Sequence, residues 1–244
     1  MDSGYYAACA GLRAQTQALE LLANNVANSN TGGYRAQHPT FRSVLAASRG
    51  ALLTPLNSAI NDFGILSGSH SDLTPGSMER TGGAFDLAIE GAGFFAVQTQ
   101  AGVLYTRNGN FQVSAKGQLI TSAGDPVLGE QGPLSIPSGT VSISADGTLS
   151  VNGAVAGKLR LVEFEPGTNV ASQGSSYYTV PDSSVRPAAG SFVRQGMLES
   201  SNVNPVAAVV NLIAVQRHAE MLQRALSVFH SEFNRIAATE LPRI

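Results

Sequence analysis

Two segments at opposite ends of this 244-residue chain carry heptad stripes, and neither stripe can be buried by its own segment alone. Between residues 5 and 26, Tyr5, Leu12, Leu19 and Val26 recur every seven residues, with Ala8, Gln15 and Leu22 at the second seam position of each heptad. Near the other end, Leu212, Val215, Ala219, Leu222, Leu226, Phe229, Phe233 and Ile236 alternate spacings of three and four, and every one is apolar. A seam two positions wide per heptad suits a coiled coil rather than the broad face of a helix lying on a globular core. The pattern predicts terminal helices that close on each other or on neighbouring chains.

The first helix should stop near Asn30. The run from Asn24 and Asn25 through Val26, Ala27, Asn28, Ser29, Asn30 and Thr31 to Gly32 and Gly33 is rich in residues that bond their own backbone or tolerate the left-handed region. Gly32 and Gly33 supply backbone freedom for a reversal, while Asn24, Asn25 and Asn28 are placed to cap and tie carbonyl groups. Residues 36–77, with Pro39, Pro55 and Pro75, read as an extended connector holding one short helix.

From there period-two and short apolar runs take over. Residues 85–89, 93–98, 103–106, 111–113, 118–120, 127–128, 141–143, 148–151 and 158–162 read as strands. They are punctuated by Asn108-Gly109, Lys116-Gly117, Gly124-Asp125, Asp146-Gly147 and Asn152-Gly153, dipeptides of tight hairpins. The expected fold is α+β: residues 1–35 and 198–244 form a helical coiled-coil inner domain, and residues 78–197 form a central, compact, antiparallel all-β domain.

Composition removes several function classes. Charged residues are only 13% and the net charge is −2, with no Lys/Arg cluster to neutralise phosphates, so neither nucleic acid nor an anionic membrane surface is an expected partner. No run of 18 apolar residues suggests membrane insertion, and no secretory signal peptide is expected at the N-terminus. The lone Cys9 has no basic neighbour and reads as a small packing residue.

Enzyme chemistry finds no foothold either. His218 and Glu220 are not at metal-ligand helical spacing, His38 precedes Pro39, and His70 and His230 lack ligand partners nearby in sequence. Asp86 and Glu90 fall on or beside a strand, where a turn or edge role is expected rather than a glycosidase pair. No glycine pattern brackets a serine as a nucleophile elbow. Gly91 and Gly93 lack the third glycine and following helix of a phosphate loop, so no catalytic residue, metal or cofactor is expected.

Four motifs carry a family resemblance. Residues 23–35 (ANNVANSNTGGYR) resemble the N-terminal signature of the bacterial flagellar axial proteins: rod, hook and hook-associated. Residues 85–97 (FDLAIEGAGFFAV), 105–111 (YTRNGNF) and 117–129 (GQLITSAGDPVLG) resemble the β-domain of the rod and hook proteins. Residues 195–217 (QGMLESSNVNPVAAVVNLIAVQR) resemble their C-terminal motif. Within the family the likeness is to the rod proteins, nearest the proximal branch, with a distal rod or hook-type protein as the alternative. A secreted β-domain adhesin or carbohydrate-binding module, using Tyr105, Tyr177 and Tyr178, is the alternative from another class.

The resemblance implies a structural rod subunit, exported without a cleaved signal peptide through the flagellar type III apparatus and located in the periplasmic rod of the basal body. Its implied partners are copies of itself, other rod proteins and that apparatus. It also implies that Tyr5, Leu12, Leu19, Leu22, Val26, Leu212, Val215, Leu222, Leu226, Phe229, Phe233 and Ile236 form the assembly interface. Asn24, Asn25, Asn28, Asn30, Thr31, Gly33 and Tyr34 would form the family turn. The C-terminal seam yields on the order of 10 to 20 kcal/mol gross on burial. Ordering roughly thirty backbone positions costs at least as much, so both helices are expected to need partners.

Overall fold

The computed structural model describes residues 2–42, 65–174 and 176–240. They form an α+β protein whose chain passes between two units at 26/27, 36/37, 69/70 and 204/205. One unit holds Met1–Val26, Gln37–Ser69 and Pro205–Ile244; the other holds Ala27–Ala36 and His70–Asn204.

The first unit contains α1 (Asp2–Ala27) and α2 (Pro205–Glu240). Ala, Leu and Gln make α1 a good helix former, and α2 opens on a proline, whose missing N–H costs nothing in the first turn. The seat of the extended connector is a two-stranded sheet of β1 (Gln37–Arg42) and β2 (Ile65–Ser71), the last residues of β2 crossing into the second unit. The short helix expected in the connector lies outside the described residues.

The second unit is built from short antiparallel strands: β3 (Met78–Arg80), β4 (Leu87–Glu90), β5 (Phe94–Thr99), β6 (Gly102–Thr106), β7 (Phe111–Val113), β8 (Leu119–Thr121), β9 (Leu128–Gly129), β10 (Gly132–Pro133), β11 (Val141–Ile143), β12 (Thr148–Val151), β13 (Ala154–Lys158), β14 (Leu161–Phe164), β15 (Ala171–Gln173), β16 (Tyr177–Thr179), β17 (Val185–Pro187), β18 (Phe192–Gln195) and β19 (Met197–Glu199). The largest sheet runs β15-β16-β6-β5-β14-β17, and a second runs β11-β12-β13. Smaller pairs join β4 to β18, β3 to β19, β7 to β8 and β9 to β10.

Strand β5 divides the core in two. Its alternation sends Phe95 into a cluster with Leu87, Ile89, Phe111, Leu119, Leu149 and Val193, and sends Phe94 and Ala96 into another with Tyr105, Val162, Phe164 and Tyr178. In the second cluster Phe94 stacks on Phe164 with centroids 4.4 Å apart and meets Tyr178 edge-on at 5.7 Å.

The turns correct the sequence reading in two places. Three loops share one form: Gly117 N donates to Ser114 O and Ser114 N to Gln118 O, a pattern repeated at Thr121, Gly124 and Asp125 and at Ser144, Gly147 and Thr148. These are three-residue loops with glycine in the left-handed position, and only Asn152-Gly153 is a two-residue turn with both φ values positive. Asn108-Gly109 is no hairpin turn at all. The strand before it joins the large sheet and the strand after it pairs with β8, while Gly109 O accepts from Leu87 N. The second correction concerns residues 158–162, expected as one strand. They are the end of β13 and the start of β14, because at Leu159 and Arg160 the chain changes sheets, with their amides donating to Gly147 O and Leu128 O.

Candidate functional site: a buried arginine and glutamate cluster beneath the Asn-rich turn

The turn after α1 is shaped by short polar bonds. Thr31 N donates to Asn28 O at 3.0 Å, and the Thr31 hydroxyl meets Asn28 Oδ1 at 3.1 Å. Asn25 is buried at the end of α1, and its amide bonds both backbone groups of Gln37, donating to the carbonyl at 2.8 Å and accepting from the N–H at 2.9 Å. Asn24 and Asn30 are exposed. Gly33 adopts φ +66°, and a Cβ there would stand 2.3 Å from the Arg107 carbonyl carbon. Only glycine lets the turn lie this close to the backbone that follows β6.

That close approach delivers Arg35 into the interior of the second unit. Arg35, Arg107 and Glu199 each expose 1% or less of their surface. Arg35 Nη2 donates to Glu199 Oε1 at 2.6 Å, and Arg107 Nη1 to Glu199 Oε2 at 3.2 Å. Gly76 N also donates to Glu199 Oε1, at 2.9 Å. Around this centre Arg35 N donates to the Tyr178 hydroxyl at 2.9 Å, Gly33 N to Glu199 O at 2.7 Å, and Ala36 N to Asn202 Oδ1 at 2.7 Å. The Asn202 amide spends its protons on the carbonyls of Asp72 and Thr74.

The cluster carries two positive charges and one negative. Arg107 is compensated further by donating to the carbonyls of Ile89 and Gly91 and by lying 4.9 Å over the Phe94 ring. Burial pushes its guanidinium down to about 10, Glu199 pulls it back up, and Arg35 pushes it down, so it stays charged at neutral pH. Burial also pushes the hydroxyls of Tyr34 and Tyr178 up to about 12. Three guanidinium nitrogens, Arg35 Nε and Nη1 and Arg107 Nε, have no acceptor among the described residues. A cluster this enclosed presents no face to a substrate; what it can do is hold distant segments in one register.

The sequence motifs contain these residues without revealing that they meet. Arg35 closes the first motif, Arg107 is the one charge in YTRNGNF, and Glu199 lies in the C-terminal motif, while the motif at 85–97 supplies Ile89, Gly91 and Phe94. The usable signal was a single charge in each of the motifs at 23–35 and 105–111, and the one acid of the C-terminal motif, in a sparsely charged chain.

The expected interface residues lie on the helices. Leu12, Leu19, Leu22 and Val26 are half-buried on α1, beside the buried Gly11, Ala14 and Ala18. On α2, Leu212, Val215, Leu222 and Leu226 are half-buried in line with the buried Ala208 and Ala219. The side chains of Tyr5, Phe229, Phe233 and Ile236 lie outside the described residues. For the sugar-groove alternative the aromatics are misplaced: Tyr105 and Tyr178 are buried, and Tyr177 is tied to Asp125 and Thr121. Glu90 pairs with Arg194 at the surface, and Asp86 accepts from the Thr81 hydroxyl.

Comparison with known proteins accounts for the convergence. Three family models match: flagella basal body rod protein over residues 6–35, the flagellar hook protein FlgE/F/G D1 domain over 88–151, and the flagellar basal body rod FlgEFG protein C-terminal over 194–237. The flagellar basal-body rod protein FlgF of Caulobacter vibrioides is 33% identical over 248 residues, with 100% of both chains covered. The chain belongs to the flagellar basal-body rod protein family. FlgF of Salmonella typhimurium is 33% identical, covering 93% of this chain and 94% of the relative. FlgG of Buchnera aphidicola from Acyrthosiphon pisum is 31% identical, covering 89% and 92%. The rod protein described here is FlgF-like, and each charged member of its buried cluster comes from a different one of the three family segments. Among the described residues no helix is long and apolar enough to cross a membrane.

Proposed function

We infer that this chain is a structural, non-catalytic subunit of the flagellar basal-body rod that polymerises into a helical tube through α1 and α2, with the β unit carried on the assembled helices. The observation that carries the reading is a second apolar face on α2. Val206, Val209, Val210, Ile213, Met221 and Val228 are exposed, between 40% and 74%. At 3.6 residues per turn all but Val209, which flanks them, lie within roughly 40° of the side opposite the line of Ala208, Leu212, Val215, Ala219, Leu222 and Leu226. Over its first three turns α2 is thus apolar on two opposite sides, one for its own unit and one for a neighbour, while further along Arg217, Glu220 and Arg224 share the outer face with Met221 and Val228. Covering the exposed face contributes on the order of 6 kcal/mol gross, counting about 2 kcal/mol for a fully exposed side chain.

The half-buried leucines of α1 offer a different surface, so copies would meet head to tail through unlike patches and, with a rotation that does not close, build an open filament. The predicted coiled-coil pairing, the proximal position in the rod and export through the flagellar type III apparatus without a cleaved signal belong to this reading. The test is a Val210→Glu, Ile213→Glu variant, whose circular dichroism should match the parent's, expressed in cells lacking the native gene. Electron cryotomography should then show rods that stop short, with no hook beyond. Complete rods built from the variant would sink the assembly reading.

A further inference from the structure

We propose that Glu199 imposes an order on folding: the turn that roots α1 is seated only after β18 and β19 have closed, so an incomplete chain cannot fix its N-terminal helix. The seat is made of parts widely spaced in sequence, with Arg107 held by the Ile89 and Gly91 carbonyls, Tyr178 on β16, Gly76 before β3 and Glu199 at the end of β19. Until Glu199 arrives, that seat offers Arg35 a second arginine and no counter-charge. Burying two like charges in a low-dielectric interior is strongly unfavourable, so the unfinished seat repels its occupant. Once β19 pairs with β3, placing Glu199 opposite Met78, one carboxylate bridges both guanidiniums.

The dependence runs in one direction. Backbone contacts to the turn also come from the late segment, since Gly33 N donates to Glu199 O and Ala36 N to the Asn202 side chain. The ladder between β4 and β18 and that between β3 and β19, by contrast, use only residues of those strands. Arg35 has two guanidinium nitrogens without an acceptor among the described residues, which leaves its seating dependent on Glu199. The order follows from the folded chain itself and does not rest on what the chain assembles into.

The experiment is refolding of the full chain from urea with pulsed hydrogen-exchange labelling. Protection at the Gly33 and Arg35 amides should follow that of the ladder between β5 and β6 and that of Gly196 and Ser200, whose N–H groups donate to Asp86 O and Ser77 O where β18 and β19 close on their partners. Protection of Gly33 and Arg35 before or together with β5 would overturn the proposal. In the native state, Glu199→Gln should speed exchange at Gly33 and Arg35 by about a hundredfold, the low end for losing one partner of a buried pair, while the β5 and β6 amides change less than about threefold. Equal acceleration everywhere would mean that Glu199 serves only global stability. Where Glu199→Gln folds poorly, the double variant Arg35→Met, Glu199→Gln decides. Removing the repelled charge should restore at least about tenfold of the lost protection, and a double variant no better than the single one refutes the electrostatic gate.

Discussion

Replacing Gly33 by alanine tests whether close backbone approach, and not merely an unusual dihedral angle, holds the turn against the β unit. Three glycines separate the two contributions. Gly82 has φ +74° with nothing within 4 Å of the place a methyl group would take, so Gly82→Ala should cost only the left-handed penalty, about 1 to 2 kcal/mol. Gly109 has no positive φ, yet a Cβ there would lie 1.6 Å from Leu87 O, so Gly109→Ala reports steric conflict alone. Gly33 combines both, with φ +66° and a Cβ 2.3 Å from Arg107 C and 2.5 Å from Asn108 N. These are backbone atoms and cannot rotate away.

Gly33→Ala must therefore lift the turn, weakening the bond from Gly33 N to Glu199 O, worth about 1 to 3 kcal/mol when its partner is left buried. Added to the dihedral penalty and a partial loss of the Arg35 pair, the cost is roughly 4 kcal/mol. With a urea slope of about 2 kcal/mol per molar, the midpoint falls by about 2 M. The chain has no tryptophan, but Tyr34, Tyr105, Tyr177 and Tyr178 all lie in the β unit, so near-ultraviolet tyrosine circular dichroism follows it. If Gly33→Ala falls within about 1 kcal/mol of Gly82→Ala, the steric argument for the turn is wrong.

Alkaline pH should destabilise the β unit. Tyr34, Tyr177 and Tyr178 are each held at about 12 mainly by burial, so between pH 10 and 12 the folded chain keeps protons that the unfolded chain has lost, and stability falls as pH rises. Each contributes roughly 2.7 kcal/mol across that window. Arg107, held at about 10, gives up its proton first in the folded chain and opposes one of the three, leaving a net loss of roughly 5 kcal/mol by pH 12. A urea midpoint that is flat or rising from pH 9 to 11.5 would contradict this. Leu149→Ala, in the first core cluster at 0% exposure, should cost about 2 to 5 kcal/mol in the same urea assay. Arg194→Ala, which breaks a half-exposed pair with Glu90, should cost less than about 1 kcal/mol, and the reverse ranking would discredit the burial argument.

The parts legible in the sequence were those encoded by neighbours. Heptad spacing located both terminal helices, and alternation with glycine loops located strands such as β5, β6 and β12, because those signals arise within a few residues. Strands β15 to β19 were missed because Ala171–Gln173 is polar and short, although its partner β16 is close by, and because segments such as Phe192–Gln195 become strands only through partners far along the chain. The buried cluster was illegible for the same reason: 164 residues separate Arg35 from Glu199, and 92 separate Arg107 from it. The Asn108-Gly109 dipeptide misled because a glycine there is required by the passing Leu87 carbonyl rather than by a turn. On α1, reading the leucines as the seam passed over Gly11, Ala14 and Ala18, whose small size lets them be buried while carrying little hydrophobic signal.

A chain that moves between its two units at four points cannot be divided by a single cut. Cleavage at 204/205 would still leave the units joined by backbone at 26/27, 36/37 and 69/70, and only a set of nicks could release one from the other. A force drawing one unit from the other would likewise fall on four backbone crossings at once, where beads on a single tether would place it all on one.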